Sequence, residues 1–463
     1  MTKLPFAWET NVSKYDFSGE AKLINAYAEV QGKDAKAPLA ALPCYGLTLF
    51  TEVTDTPQRG SIELEDLDCI YTVHSTSVYK VVEDGTVTRI GTIPGSDIVE
   101  MSRNQATVSQ VSIHCAAGEF YIEADTVKQV TDEDLPSNVV SQDHAGGYTV
   151  YLLDDRRFFI SSINECQTID GLDYATAEQS ADPAVRVKSD GDIFIFKRRQ
   201  IEQFRNTGNA DFPFEPIGSP IKHGLLAAEA VTQFDNTLAF VGDDNIAYRI
   251  AGTGAVQRIS NHSFERTVAN DPDPDSIAGF SYTTEGHAFA TFTGTDWTRS
   301  YDAATGFWHS RESYQLGKWR ARNPRRIWGK TIVGDALSGN LYYLDKDSFV
   351  EDDMPLIWGV DTPTLNVFPN GGVMDALHID VATGVGIRNG ELPKLMLDWS
   401  TDGGQTYKGR RELQLGATGD RVRVTTRMLG RFGPRGVKFR FRISDPVIRA
   451  LIGLDLQIRP LRK

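Results

Sequence analysis

The sequence predicts an all-β protein, a β-propeller followed by a C-terminal antiparallel β-sandwich. A unit of two short strands and a turn recurs seven times, at intervals of roughly 40–50 residues, which is typical of propeller blades. The composition is rich in turn residues, with 41 glycines in 463 residues. Near Asp361 the repeat stops, and six strands at regular spacing follow. Such spacing indicates a small sandwich.

The repeated unit is clearest from Thr331 to Asp345, TIVGDALSGNLYYLD. It reads as an apolar strand, a polar turn and a strand that carries aromatic residues. Gly334 and Gly339 are expected to supply positive φ angles in this hairpin. Seven blades are predicted, or six if the long step from Tyr248 to Tyr301 contains a distorted unit. The aromatic residues that mark the units are Tyr79, Tyr121, Phe159, Phe204, Tyr248, Tyr301 and Tyr343.

The change of pattern along the chain predicts four segments. Residues 1–38 are expected to form an extended or partly helical arm that packs on another domain. Residues 39–360 form the propeller, and 39–53 supply a strand that completes the last blade, because an open ring would expose a strand edge. A linker occupies 361–375, and 376–463 form a basic sandwich domain.

Bulk composition narrows the class of protein. The chain is 40% hydrophobic and 24% charged, as in soluble globular proteins. It has no apolar run of transmembrane length and no signal-peptide pattern near its start, so we expect neither membrane insertion nor secretion. The widely spaced Cys44, Cys69, Cys115 and Cys166 are expected to be buried free thiols in a protein that folds in a reducing cytoplasm.

Charge is unevenly distributed along the chain. From Arg388 to Lys463 there are 17 basic and 7 acidic residues, a balance of +10, whereas the whole chain carries −14. The remainder therefore carries −24. Such a division indicates two domains with different surroundings.

One local motif raises the question of enzymatic activity. Ser400 to Tyr407, STDGGQTY, fits the Asp-box hairpin, in which the aspartate organises a tight turn. Asp-boxes recur in sialidases, which are propellers, but a sialidase also needs an arginine triad and a Tyr/Glu nucleophile pair. Here the motif occurs once, outside the repeats. We predict no enzyme; a propeller glycosidase and a cellular peptide-binding scaffold are the alternatives.

No other motif points to catalysis. The eight histidines are scattered, and no HExxH, GxSxG or phosphate-binding loop is present. We therefore predict no catalytic, cofactor-binding or metal-binding residues and no cofactor.

Two basic clusters remain, Lys318–Arg326 and Arg421–Arg442. In the second, charged residues alternate with apolar ones, which places them on one face of each strand. That face is either simply solvated or a docking surface for an acidic partner or a nucleic-acid backbone. The candidate interface residues are Arg410, Arg411, Arg421, Arg423, Arg431, Arg435, Lys438, Arg440 and Arg442.

The same region resembles a known family, the packaged-DNA stabilisation proteins of short-tailed phages, also called tail hub or nozzle proteins. A weaker match lies at Leu23–Tyr27 and Leu39–Gly46. The segments that carry the resemblance are Leu397–Gly403, Tyr407, Arg410–Glu412, Gly430–Arg431, Lys438–Arg442 and Ser444–Val447.

The resemblance implies a structural virion protein without enzymatic activity or cofactor. In that family six copies form a ring below the portal and its adaptor, which retains packaged DNA and provides the channel for its ejection. The implied partners are further copies of the chain in a hexamer, adaptor (head-to-tail connector) proteins, and distal needle, tip, spike or fibre proteins. DNA would pass without sequence-specific binding. The implied location is the virion tail, after folding and assembly in the host cytoplasm.

The charge division suggests how such a ring is oriented. An acidic propeller lining or flanking the DNA path would prevent sticking, because basic surfaces hold DNA by releasing counterions. The basic C-terminal domain would then face an acidic adaptor ring.

Overall fold

A computed structural model describes residues 2–3, 6–14, 20–386 and 392–461. Five strands come first: β1 (Thr2–Lys3), β2 (Lys22–Ile24), β3 (Ala26–Val30), β4 (Leu39–Pro43) and β5 (Gly46–Glu52). The described part of the predicted arm is thus extended, with no helix.

Seven four-stranded antiparallel blades form the predicted propeller, which is thereby confirmed; five are separate sheets and two are parts of larger sheets. The first four blades are β6 (Gln58–Leu64), β7 (Cys69–His74), β8 (Ser77–Val82), β9 (Val87–Thr92); β10 (Glu100–Arg103), β11 (Val111–Cys115), β12 (Gly118–Glu123), β13 (Thr126–Gln129); β14 (Val139–Ala145), β15 (Tyr148–Leu153), β16 (Arg157–Ser162), β17 (Glu165–Thr176); and β18 (Ala184–Asp190), β19 (Asp192–Lys197), β20 (Ile201–Asn206), β21 (Phe214–Pro216).

The last three blades are β22 (Val231–Phe234), β23 (Thr237–Val241), β24 (Ala247–Ile250), β25 (Val256–Arg258); β26 (Ala278–Thr284), β27 (His287–Thr293), β28 (Thr298–Asp302), β29 (Trp308–Ser310); and β30 (Ala321–Ile327), β31 (Lys330–Asp335), β32 (Asn340–Asp345) with β5. All seven marker aromatics lie on the third strand of a blade. The long step before Tyr301 holds helix α1 (His262–Ala269) and a 3₁₀ turn, Pro274–Ser276, rather than an eighth or distorted unit.

A strand from the start of the chain closes the ring. β5 pairs antiparallel with β32, so that Leu47 lies opposite Leu344 and Leu49 opposite Tyr342. The short strands β33 (Val350–Glu351) and β34 (Met354–Pro355) extend this sheet. β4, which the sequence placed in the same closing segment, pairs instead with β3 in the sandwich.

The two glycines of the Thr331–Asp345 hairpin serve a different purpose from the one predicted. Neither Gly334 nor Gly339 has positive φ, so that prediction is wrong. A Cβ at Gly339 would lie 1.8 Å from the Thr54 carbonyl oxygen, and one at Gly334 would lie 2.2 Å from Gln58 Oε1. These positions require glycine because other parts of the chain pack directly against them.

The sandwich is built from both ends of the chain. Its later strands are β35 (Trp358–Asp361), β36 (Gly372–Val381), β37 (Lys394–Ser400), β38 (Gly409–Gln414), β39 (Val424–Phe432), β40 (Lys438–Ile443) and β41 (Leu451–Pro460). One sheet has the order β3-β4-β41-β36-β39, with β1 beside β41. The facing layer has the order β2-β35-β40-β37-β38. Leu23, Leu377, Leu397 and Phe441 are among the buried side chains of the core between them.

The propeller and the sandwich share one sheet. β2 pairs in parallel with β29, the outer strand of the sixth blade, and antiparallel with β35. The nine-stranded order β26-β27-β28-β29-β2-β35-β40-β37-β38 therefore runs from the propeller axis to the far edge of the sandwich. Arg449, fully buried, ties the junction by donating to the carbonyl oxygens of Leu356, Phe349 and Asp445.

Candidate interaction surfaces

Three of the nine candidate interface residues form ion pairs with acidic residues of their own chain. The Lys438 ammonium is buried and donates to Glu20 Oε2 at 2.9 Å. Burial lowers the pKa of Lys438, although the Glu20 carboxylate opposes that shift. Arg442 donates to Asp361 Oδ1 at 2.6 Å. The Arg440 guanidinium lies 3.4 Å from the centre of the Tyr407 ring and 3.5 Å from Asp361 Oδ2.

These contacts are part of a row of alternating charges across the sheet. The register places oppositely charged residues side by side on five consecutive strands, an arrangement that stabilises antiparallel pairing. The row consists of Lys22, Asp361, Arg440, Asp398 and Arg410. The period-two pattern thus marks a charged face, but acidic residues from the same sheet neutralise much of it.

The other candidates remain at the surface in two groups. At the free edge of the sandwich, Arg410, Arg421 and Arg423 are exposed. Half-buried Arg411 joins the two sheets there by donating to Thr426 Oγ1 and to the Arg427 carbonyl oxygen. Arg431 is exposed at the other end of β39, and Arg435 in the turn that follows it. We call the end formed by 364–371, 401–408 and 432–437 the distal end.

The distal end also exposes an apolar side chain that the sequence did not single out. Phe368 is 77% exposed in a loop that the Leu365–Val437 bridge holds against the turn containing Arg435. Its Pro- and Gly-rich neighbourhood led only to the prediction of a linker. Exposure of one aromatic residue depends on packing and leaves no periodic signal.

The first basic cluster, Lys318–Arg326, lies mostly inside the propeller. Arg320 is buried and makes a two-pronged ion pair with Asp335, at 2.9 and 2.6 Å. Arg322 donates to the Gln58 carbonyl oxygen at 3.2 Å, and Arg325 lies 3.6 Å from Glu63. This cluster therefore joins the seventh blade to the first.

The centre of the propeller is a polar cavity of about 570 Å³, lined mainly by the first strands of the blades. Arg186 crosses part of it and pairs with Glu100 from the second blade and with Glu229 ahead of the fifth. Gln233 Nε2 donates to the Ser189 carbonyl oxygen at 2.9 Å where the fourth and fifth blades meet. Burial lowers the pKa of His144 in the wall to about 4. Arg186 and its two carboxylate partners therefore occupy part of the cavity.

The Asp-box of residues 400–407 is structural. Asp402 accepts hydrogen bonds from Ser400 Oγ at 2.6 Å, Thr406 N at 3.0 Å and Thr406 Oγ1 at 2.6 Å. These bonds hold its pKa far below the ordinary range. Gly403 and Gly404 have positive φ. The hairpin supports Tyr407 under Arg440.

Three further findings concern the cysteines, possible metal ligands and possible membrane-spanning helices. All four cysteines are buried and free. Among the residues that the structure describes, no group of three or more His, Cys, Asp or Glu side chains could hold a metal ion. In the same part of the chain, no helix is long and apolar enough to cross a membrane.

The two kinds of arginine should respond differently to mutation. Arg442→Gln leaves Asp361, which is 2% exposed, with only its weaker contact to Arg440, so we expect a loss of about 1–3 kcal/mol in unfolding free energy. Arg435→Gln removes one exposed contact to Gln405 and should change stability by less than about 0.5 kcal/mol. Urea denaturation checks both, and equal losses would contradict the division into inward-facing and exposed charges.

Comparison with known proteins places both domains in one phage family. The family model described as Bacteriophage P22 Gp10, beta-propeller, matches residues 13–349, and the one described as Bacteriophage P22 Gp10, beta-sandwich, matches residues 357–459. A search of curated proteins finds no match.

Several solved structures share a weak likeness to the chain. PorZ, a surface component of the type-IX secretion system of Porphyromonas gingivalis, is 11% identical over 64% of this chain and 37% of PorZ, with a TM-score of 0.38. YCF48 bound to D1 peptide is 10% identical over 68% of this chain and 97% of that one, with a TM-score of 0.40. The computationally designed Ika8 protein is 11% identical over 70% of this chain and 100% of Ika8, with a TM-score of 0.41. Likenesses this weak do not bear on function.

The two family matches together cover most of the chain, in the order in which the structure shows the domains. Neither the glycosidase nor the peptide-binding scaffold is favoured by them. The chain belongs to the Bacteriophage P22 Gp10 family of packaged-DNA stabilisation, or tail hub, proteins, and is a structural protein of a phage tail.

Proposed function

We propose that the chain is the subunit of a hub, or nozzle, ring of six copies below the portal–adaptor, which retains packaged DNA and provides the channel for its ejection. The observation that carries the proposal is that propeller and sandwich both match the same phage family, over 13–349 and 357–459. Folding in the host cytoplasm before assembly suits four cysteines that are buried and free.

In this proposal DNA passes between copies and not through a propeller. The major groove of duplex DNA alone is about 12 Å wide. The central cavity, of about 570 Å³, is crossed by the side chain of Arg186 and its two carboxylate partners. A lumen enclosed by several subunits is therefore required. The acidic balance of the propeller part of the chain would keep passing DNA from sticking to that lumen.

The distal end of the sandwich is the surface that we assign to the adaptor. Arg435 and Phe368 are exposed there in adjoining loops, and Arg431 is exposed at the adjacent end of β39, so a partner would meet positive charge and an apolar side chain together. An interface commonly has a buried aromatic at its centre and a polar rim. An acidic adaptor surface with an apolar pocket has the matching chemistry. Needle, tip, spike or fibre proteins, which lie farther from the phage head, would attach to the end of the ring opposite the adaptor.

Cryo-electron microscopy of the protein mixed with filled, adaptor-capped heads tests the proposal. We expect sixfold density directly below the adaptor and no adaptor-bound density for Arg431→Glu/Arg435→Glu. Arg89→Glu/Lys128→Glu is the matched control, because it makes the same charge change on exposed propeller strands. Absence of density for the unmodified protein would contradict the hub function. Normal density for Arg431→Glu/Arg435→Glu would contradict only the assignment of the distal end.

A further inference from the structure

The free edge of the sandwich has features of an unoccupied contact surface. β38 and β39 are the last strands of their sheets, and no further strand from the described residues covers them. Arg410, Arg423 and Arg427 are exposed along this edge. Next to Arg427, Met428 is 84% exposed and protrudes from a bulge in β39, where its φ is +57°. We call these four residues the arginine edge.

The outer strand of the third blade carries the opposite character. β17 is 12 residues long and departs from regular pairing between Ile169 and Tyr174. At this irregularity Leu172 is 85% exposed between Asp170 and Asp173. The loop 132–135 lies against it: Asp132 Oδ2 accepts from Ile169 N at 3.0 Å, and Glu133 and Asp134 are exposed. We call residues 170–173 with Glu133 and Asp134 the acidic protrusion.

The two surfaces lie at opposite ends of the molecule. The sandwich extends outward from the sixth blade, and β38 is the strand of the shared sheet farthest from the propeller axis. The third blade stands three of seven steps from the sixth, about 150° around the ring. One copy therefore cannot bring its own arginine edge to its own acidic protrusion.

We propose that the arginine edge of one copy binds the acidic protrusion of a second copy, and that this head-to-tail contact builds the ring. The inference rests on the proposed function, whose ring it supplies with an interface. Contacts between two different surfaces of identical chains close into rings when the rotation permits. Leu172 and Met428 supply apolar area at the centre, and the surrounding charges favour this pairing over others.

The electrostatics of the acidic protrusion within a single copy agree with this assignment. Burial and the neighbouring Asp170 carboxylate raise the pKa of Asp173. Like charges held together in one copy repel each other, and guanidinium groups from a partner would relieve the repulsion. On the arginine edge, Arg427 directly precedes the exposed Met428, and Arg410 and Arg423 are exposed on the same edge. The one exposed carboxylate of β38, Glu412, is already paired with Lys394 at 3.0 Å.

Sedimentation analysis of two charge-reversed variants tests the contact. Asp170→Lys/Asp173→Lys and Arg423→Glu/Arg427→Glu should each weaken self-association on the order of 100-fold and leave monomers. Mixed together, the two variants pair through their intact surfaces, and their reversed surfaces also carry opposite charges, so we expect rings in which the two variants alternate. Combining all four substitutions in one chain should restore rings.

Controls separate this inference from the function on which it rests. Asp211→Lys/Glu215→Lys makes the same charge change on exposed residues of the fourth blade and should assemble normally. Leu172→Ser tests the apolar centre without changing charge, and near-identical circular dichroism would show that the variants are folded.

Rings from both reversed variants would overturn the proposed contact but leave the hub function intact. If the unmodified protein stayed monomeric both alone and on adaptor-capped heads, the result would contradict the contact between copies and the hub function. Loss of adaptor binding with rings retained would assign the arginine edge to the adaptor, and so overturn the contact between copies.

Discussion

Replacing Arg320 with methionine is expected to lower the free energy of unfolding by about 3–5 kcal/mol. Asp335 is fully buried and receives two hydrogen bonds from Arg320. Without the guanidinium, the Asp335 carboxylate remains in the interior with no opposite charge at hydrogen-bonding distance. It keeps its hydrogen bonds to Ser338 in the following turn, which are neutral. Methionine fills much of the volume, so the loss reports mainly on charge. Chemical denaturation at pH 7 measures it.

The effect should depend on pH in a defined direction. Burial alone would raise the pKa of Asp335, but Arg320 and Ser338 outweigh burial and hold it below its ordinary value. A lowered pKa contributes stability above the unfolded value of about 3.9, and that contribution is lost as the pH falls through the folded pKa. In Arg320→Met, burial is expected to raise the pKa, so the variant's deficit should shrink as the pH falls from 7 towards 4.

Two further variants make the Arg320 result interpretable. Arg322→Met, two residues further along the chain, removes a side chain whose one hydrogen bond goes to a carbonyl oxygen, and should cost no more than about 1.5 kcal/mol. Arg320→Met/Asp335→Asn removes both charges and should cost less than Arg320→Met alone. A deficit of Arg320→Met that is independent of pH, or no larger than that of Arg322→Met, would contradict the argument.

Gly339→Ala is expected to have the second largest effect, a loss of about 1–3 kcal/mol. The new methyl group would lie 1.8 Å from the Thr54 carbonyl oxygen and 2.8 Å from that of Thr56. Both neighbours are backbone atoms in the segment that follows the closing strand β5. They can move only if the seam between the two ends of the propeller opens.

Thermal unfolding and limited proteolysis together identify the cause of the Gly339→Ala loss. The melting temperature should fall, and cleavage should begin between Glu52 and Gln58, where the displaced segment lies. Gly329→Ala is the control, because no heavy atom lies within 4 Å of a Cβ there, although its positive φ carries a local cost. If Gly329→Ala destabilised the protein more than Gly339→Ala, φ strain and not close packing would dominate.

Local pattern was enough to predict most of the strands. A hairpin brings together residues that are neighbours in sequence, so each blade leaves its own signal, and the aromatic markers Tyr79 to Tyr343 fall on equivalent strands. The later sandwich strands are likewise local, and the alternation of charged and apolar residues that ends at Arg442 lies on the strand Lys438–Ile443. Family resemblance in the same region agrees with the family matches of both domains.

Contacts between distant segments could not be predicted in this way. Lys438 looked like part of an exposed basic face, but its partner Glu20 is 418 residues away. The strands β2, β3 and β4 looked like an arm and a closing segment, yet they complete the sandwich. Gly339 is a glycine because Thr54 packs on it. Periodicity records which face of a strand is apolar, whereas the neighbour that covers or neutralises that face depends on the folded arrangement of the whole chain.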